Sequence, residues 1–139
     1  MPKIDAEEHK LYTIWAAECA EHVLYLFEKN HPDDDRPRKA IEAARAWVHG
    51  ELKMGEARRF AFAAHAAARE VNNPNAIAAA RAAGHAAATA NVPDHARYAA
   101  SYALKASLGT DAEIEWQLQR LPECMKSMLI SGISHCKKQ

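Results

Sequence analysis

The chain is expected to be an all-α domain of about six helices stacked as antiparallel helical hairpins. Three observations lead there. Alanine is by far the commonest residue, while glycine and proline number only 5 and 6 among 139, and alanine is the strongest helix former. Large apolar residues recur at spacings of three and four, the mark of helices with one buried face. A helical stretch also repeats. AIEAARAWVH at residues 40–49 returns as AIAAARAAGH at residues 76–85, an offset of 36 residues. The isoleucine, arginine and histidine matches carry this repeat, since alanine matches weigh little in an alanine-rich chain. A period of this length with two helices per unit is the signature of stacked helical hairpins.

The first helix is expected over residues 5–30. Asp5 can cap it, and Glu7 and Glu8 lie in the first turn, where the helix dipole favours acid. Leu11, Ile14, Trp15, Cys19, Val23, Leu26 and Phe27 form its apolar stripe, bordered by Glu18, Glu21 and His22. Asn30, His31 and Pro32 stop it. Asp33, Asp34 and Asp35 then form a corner. Asp35 is the natural N-cap of the second helix, and Pro37 suits its first turn. That helix runs to about His49 and ends at Gly50, with Ile41, Ala44 and Val48 on one face and Trp47 beside them. Trp15 and Trp47 are expected to anchor the core where these two helices meet.

The third helix is expected over residues 55–71, with Phe60, Ala63, Ala64, Ala67 and Val71 as its stripe. Asn72, Asn73 and Pro74 make a turn and a cap. The fourth helix covers 75–90, almost pure alanine around Ile77, Arg81 and His85. Asn91, Val92 and Pro93 break it. The fifth covers 94–108, carries Tyr98, Tyr102 and Leu104, and ends at Gly109. Thr110 and Glu113 have the spacing of a capping box for a sixth helix bearing Ile114, Trp116, Leu118 and Leu121. Pro122 interrupts that helix, a last turn or two covers 123–130, and 131–139 reads as a frayed tail. In this scheme helices two and three form one hairpin, four and five the next, and helices one and six cap the stack.

The length suits a single domain, 1–139, which can bury roughly 68–70% of its unfolded surface. Acidic and basic residues balance at 18 each, against a nucleic-acid partner, which requires a basic excess. Three scattered cysteines with no CxxC pair point to a reducing compartment. The first residues lack the shape of a signal peptide, and no apolar run approaches the roughly 18 residues of a membrane span. A cytoplasmic protein without membrane contact is expected, as a monomer or a weak homo-oligomer.

Catalytic and metal motifs are missing from the sequence. There is no Gly-rich phosphate loop, no GxSxG and no HExxH, and no two histidines stand four residues apart. The aspartate run lacks the alternation and glycine of a calcium loop. No catalytic residue, metal or cofactor is therefore expected. The polar residues of interest are Glu18, His22, Asp34, Asp35, Arg36, Arg38, Arg45, His49, Arg81 and His85. Each has a structural and a functional reading. Arg45 borders a buried stripe and needs a carboxylate, with Glu18 or Glu21 in reach. Alternatively Arg45 and Arg81 form an exposed row that grips an acidic partner. Asp35 and Pro37 suffice to turn the corner, so Arg36 or Arg38 is free to reach a carboxylate on the first helix, Glu28 being nearest in sequence, or to meet a partner. A polar pocket where Glu18, His22, Arg45 and His49 converge would instead indicate a small-molecule or metal site, even an enzyme.

Three segments, LYTIWAAECAEHVLYLFE, PDDDRPRKAIEAARAW and EWQLQRLPE, together resemble the immunity proteins of bacterial polymorphic-toxin systems, of the kind called immunity protein five-like. The resemblance spans nearly the whole chain. It implies a small helical cytoplasmic protein that binds and neutralises a cognate toxin, and it implies no catalytic residues. Matched to its motifs, the positions of interest are Trp15, Glu18, His22, Asp34, Asp35, Arg36, Pro37, Arg38, Arg45 and Trp47.

Overall fold

The structure, a computed structural model, describes residues 4–130; the tail expected at 131–139 lies outside the described residues. All regular elements among them are helical: α1 (Ala6–Val23), α2 (Tyr25–Glu28), α3 (Arg36–Val48), α4 (Met54–Arg69), α5 (Pro74–Ala88), α6 (His95–Ala106), α7 (Asp111–Arg120) and α8 (Glu123–Ile130). Asp5 accepts from the Glu8 N–H at 2.8 Å and Glu8 accepts from the Asp5 N–H at 3.2 Å, a reciprocal capping box. The single helix expected over 5–30 is interrupted once. Leu24 donates to the Glu21 carbonyl, three residues back, which tightens one turn between α1 and α2. Leu26 and Phe27 stay buried, and α2 packs on α5.

Capping differs from expectation at the corner. Asp35 holds the N-cap position, yet its side chain makes no capping bond. Asp34 accepts from the Arg36 N–H at 3.2 Å instead. Pro37 sits buried in the first turn of α3, where its missing N–H costs nothing. The helix closes at Gly50 with φ of +75°. Gly50 donates to Trp47 and Glu51 to Ala46, the paired bonds of a Schellman stop. Asn73 caps α5 by accepting from Asn75 and Ala76 at 2.8 and 3.1 Å.

Helix α5 lies at the centre, in contact with α1, α2, α3, α4 and α6. Alanine permits this: Ala76, Ala79, Ala80, Ala82, Ala83, Ala86 and Ala87 have no exposed surface, and backbones can approach wherever side chains stop at Cβ. Close packing then needs a few large fillers. They come from the first helix, as Trp15, Val23, Leu24 and Phe27, each worth about 1.5–3 kcal/mol on burial. This explains why α1 does not cap an end of the stack. It lies across α3, α5 and α6, supplying volume that alanine helices lack. Trp15 is buried as expected, whereas Trp47 is half-buried against the His9 ring, 4.5 Å away between centroids.

Helix α7 turns polar side chains inward. Ile114 and Leu118 point outward, while Glu113 and Gln117 are 5% and 7% exposed. Hydrogen bonds decide this. Thr110 accepts from the Glu113 N–H, but the Glu113 carboxylate does not complete the box. It turns inward to His22, at 2.9 Å. Gln117 donates to the Ala100 carbonyl, and its own carbonyl accepts from the Trp15 indole at 3.0 Å. These contacts tie α7 to α1 and α6 and leave each buried polar group satisfied.

Candidate functional site

The polar residues singled out from the sequence fall into separate places. At the corner, Arg38 grips Glu28 with two bonds of 2.8 and 2.6 Å. Arg36 binds Asp34 by its Nε and Nη2 atoms at 2.9 and 2.7 Å and reaches Glu70 at the end of α4 at 2.7 Å. That guanidinium holds both Asp34 and Glu70 below the usual carboxylate range. Asp35 meets only Lys39 among the ion pairs, at 3.5 Å. Arg45 takes Glu21 rather than Glu18, through a fork of 3.0 and 2.8 Å, and the bond lowers the Glu21 pKa. His49 is exposed, with Nδ1 2.9 Å from the Arg45 carbonyl. Glu18 lies close enough to Arg45 for its charge to act on that guanidinium, whereas His22 turns away to Glu113.

His22 belongs to a different assembly. Its ring stacks on Trp116 at 3.6 Å and 10°, and the Arg120 guanidinium covers the same indole at 4.7 Å. The Glu113 carboxylate orients the imidazole. His22, Glu113 and Trp116 line one wall of an open cleft of about 490 Å³, which also borders Asn75 and Ser107. Ser107, on the same cleft, donates to the Leu104 carbonyl rather than to the imidazole.

A third region comes from α4, α5 and α6. Helices α4 and α6 each pack on α5, and some of the accessible side chains of the three form neighbouring stripes. On α4 they are Arg58, Phe62, His65 and Arg69; on α5, Ile77, Arg81, His85 and Ala88; on α6, His95, Tyr98, Tyr102 and Lys105. Spacings of three and four place each set on one helix face. Ring contacts join the stripes. His65 meets His85 edge-on at 5.0 Å, and His85 lies 5.1, 5.5 and 5.3 Å from His95, Tyr98 and Tyr102. The Nδ1 atoms of His85 and His95 are 3.0 Å apart, one donating and the other accepting. Arg81 donates to His65 Nδ1 at 2.8 Å.

Packing beneath His65 is unusually close. A Cβ placed on Gly84 would fall 2.7, 2.8 and 2.9 Å from three atoms of that ring, so only glycine lets the imidazole lie flat on α5. Burial, then the Arg81 charge, pushes the His65 pKa down to about 4. Burial, then the neighbouring histidines, brings His85 to about 4 as well, and burial lowers His95. The three rings are therefore neutral at pH 7. They do not form a metal centre: among the described residues, no three His, Cys, Asp or Glu side chains are disposed to hold an ion.

Against known families, the chain matches the one described as Imm-5 like putative immunity protein over residues 2–124. The chain belongs to that family. No curated protein and no solved structure matches it. The family match embraces α1 to α7, hence the corner, the cleft and the α4–α6 face alike. Of the α4–α6 residues, sequence reasoning singled out Arg81 and His85 but not Phe62, His65, His95, Tyr98 or Tyr102. The signal lay in the spacing of residues that interrupt alanine on the third, fourth and fifth expected helices. It was obscured because aromatic residues at that spacing usually belong to a core.

Proposed function

We propose that this protein binds a bacterial toxin and neutralises it by covering a surface the toxin needs. Membership of the Imm-5 like family carries this reading, and it points to a binding role rather than a catalytic one. Two features of the fold agree. The interior is closed by alanine packing, which provides a rigid platform. The large apolar side chains that remain outside include Phe62, Tyr98, Ile114 and Leu118, of the kind that make contact at interfaces. No helix among the described residues is long and apolar enough to cross a membrane, in keeping with action in the cytoplasm on a toxin arriving there. The test is co-expression. A host carrying an inducible toxin gene from the same locus should survive only when this protein is present, and the two should co-purify in fixed stoichiometry. Survival without association, or no protection against any toxin of the locus, would refute the proposal.

A further inference from the structure

Building on that reading, we propose that the face α5 shares with α4 and α6 serves as a docking groove, and that it takes an acidic segment of the partner protein, one carboxylate seated on Arg81 and flanked by Phe62 and Tyr98.

The argument begins with two arginines at equivalent places in the repeat. Arg45 has its carboxylate, held by two bonds from Glu21. Arg81, half-buried, has only the neutral ring of His65. A guanidinium drawn out of water ordinarily pairs with an anion, and no carboxylate lies within ion-pair distance of Arg81 among the described residues. The surroundings share this bias. The three stripes contain no acidic residue, and the charges acting on His65 come from Arg81, Arg69 and His95. Asp94, beside His95, is occupied by Arg97 at 2.9 Å. The groove is thus short of negative charge in a molecule that is neutral overall.

Its rims are aromatic. Phe62 is 64% exposed and Tyr98 44%, and the 36-residue offset makes them counterparts. Beside Tyr98 and Tyr102 the surface dips into a depression of about 640 Å³ that runs to Lys105 and Leu108. Aromatic anchors around an arginine are the composition of interface hot spots, and a forked guanidinium suits a carboxylate. A nucleic acid is the poorer fit, because phosphate binding demands a net basic charge that this chain lacks.

The test selects binders from a displayed library of random peptides about twelve residues long, then maps a selected peptide by amide NMR on the full chain. The expected result is enrichment of Asp and Glu beside apolar residues, shifts confined to α4, α5 and α6, and affinity that falls with salt. Arg81→Ala should weaken binding roughly tenfold or more, and Phe62→Ala several-fold, with the far-UV spectrum unchanged. Should Arg81→Ala fail to fold, the surface variants Phe62→Ala and Tyr98→Ala decide alone. Arg38→Ala, in the corner, should bind as the parent does. Selected peptides without acidic residues, shifts elsewhere, indifference to the groove variants, or equal occupancy of the groove by single-stranded oligothymidine would each overturn the proposal. The toxin assay separates the two readings. Protection that survives Arg81→Ala and Phe62→Ala unchanged removes the groove and keeps the function. Acidic peptides in the groove with no protection by the parent keep the groove and remove the function.

Discussion

Leu108 carries a backbone strain that its side chain does not repay. Its φ is +67°, and it is 78% exposed. It occupies the position after α6 where helices prefer glycine, while Gly109 follows with φ of +65°. The left-handed conformation costs an L-residue about 1–2 kcal/mol. Leu108→Gly should therefore raise stability by about 1 kcal/mol, less the added freedom of the unfolded chain, as read from urea unfolding. A lower midpoint would show that the leucine side chain contributes packing. Gly84 presents the opposite case. Gly84→Ala would gain about 1 kcal/mol of helix propensity, but the new methyl must lift the His65 ring. The expected outcome is no gain in melting temperature and a His65 pKa that climbs from about 4 towards 6.5 by NMR titration. A stabilised variant with His65 unchanged would contradict this account of the close crossing.

At the scale of elements, ion pairs link the first helical stretch to α3 through Arg38–Glu28 and Arg45–Glu21. Arg36 or Arg38 was expected either to reach a carboxylate on the first helix, Glu28 being nearest in sequence, or to meet a partner; the structure joins Arg38 to Glu28 bidentately. Arg36 goes to Glu70, which lies 34 residues away, a choice that only folding makes visible. Exposed pairs contribute about 0.2–1 kcal/mol, the better geometries at the upper end. A double-mutant cycle on Glu28→Ala and Arg38→Ala should give a coupling near the top of that range, reduced by salt. Additive effects would mean that the fork does not hold the corner. The same scale explains α7. Ile114 and Leu118 are exposed, while Leu121 is buried. The partner groups of Glu113 and Gln117 lie on α1 and α6, and no local rule reveals them.

Over the whole molecule, three neutral histidines make stability depend on pH. In the unfolded chain His65 and His85 protonate near 6.5; in the folded chain each does so only near pH 4. Between these values the unfolded chain binds more protons, so acidification favours unfolding. Their contribution is complete above about pH 6.5 and is lost as the pH falls towards 4. The depressed carboxylates Glu21, Asp34 and Glu70 act in the same direction at lower pH. The melting temperature should therefore drop as the pH passes from 7 to 4, and substituting glutamine for both His65 and His85 should flatten the upper part of that fall. An unchanged slope in the double variant would place the acid sensitivity elsewhere.

Composition and spacing alone determined that this chain is helical and where most helices start and stop, because those properties rest on local propensity, caps and breakers; the family resemblance came separately, from three particular segments. The corner was legible in part: Glu28 was named as a carboxylate in reach, but the choice of Arg38 over Arg36, and of Asp34 over Asp35 as the acceptor of the Arg36 N–H, came only with the structure. Tertiary structure decided the rest. It put α5 at the centre and laid α1 across three helices, because alanine leaves space that only distant large side chains can fill. It gave Arg45 a carboxylate and left Arg81 with a neutral histidine, although both occupy the same place in the repeat. A residue's helix face follows from its sequence neighbours, but its charge partner is chosen by whichever helix packs against that face.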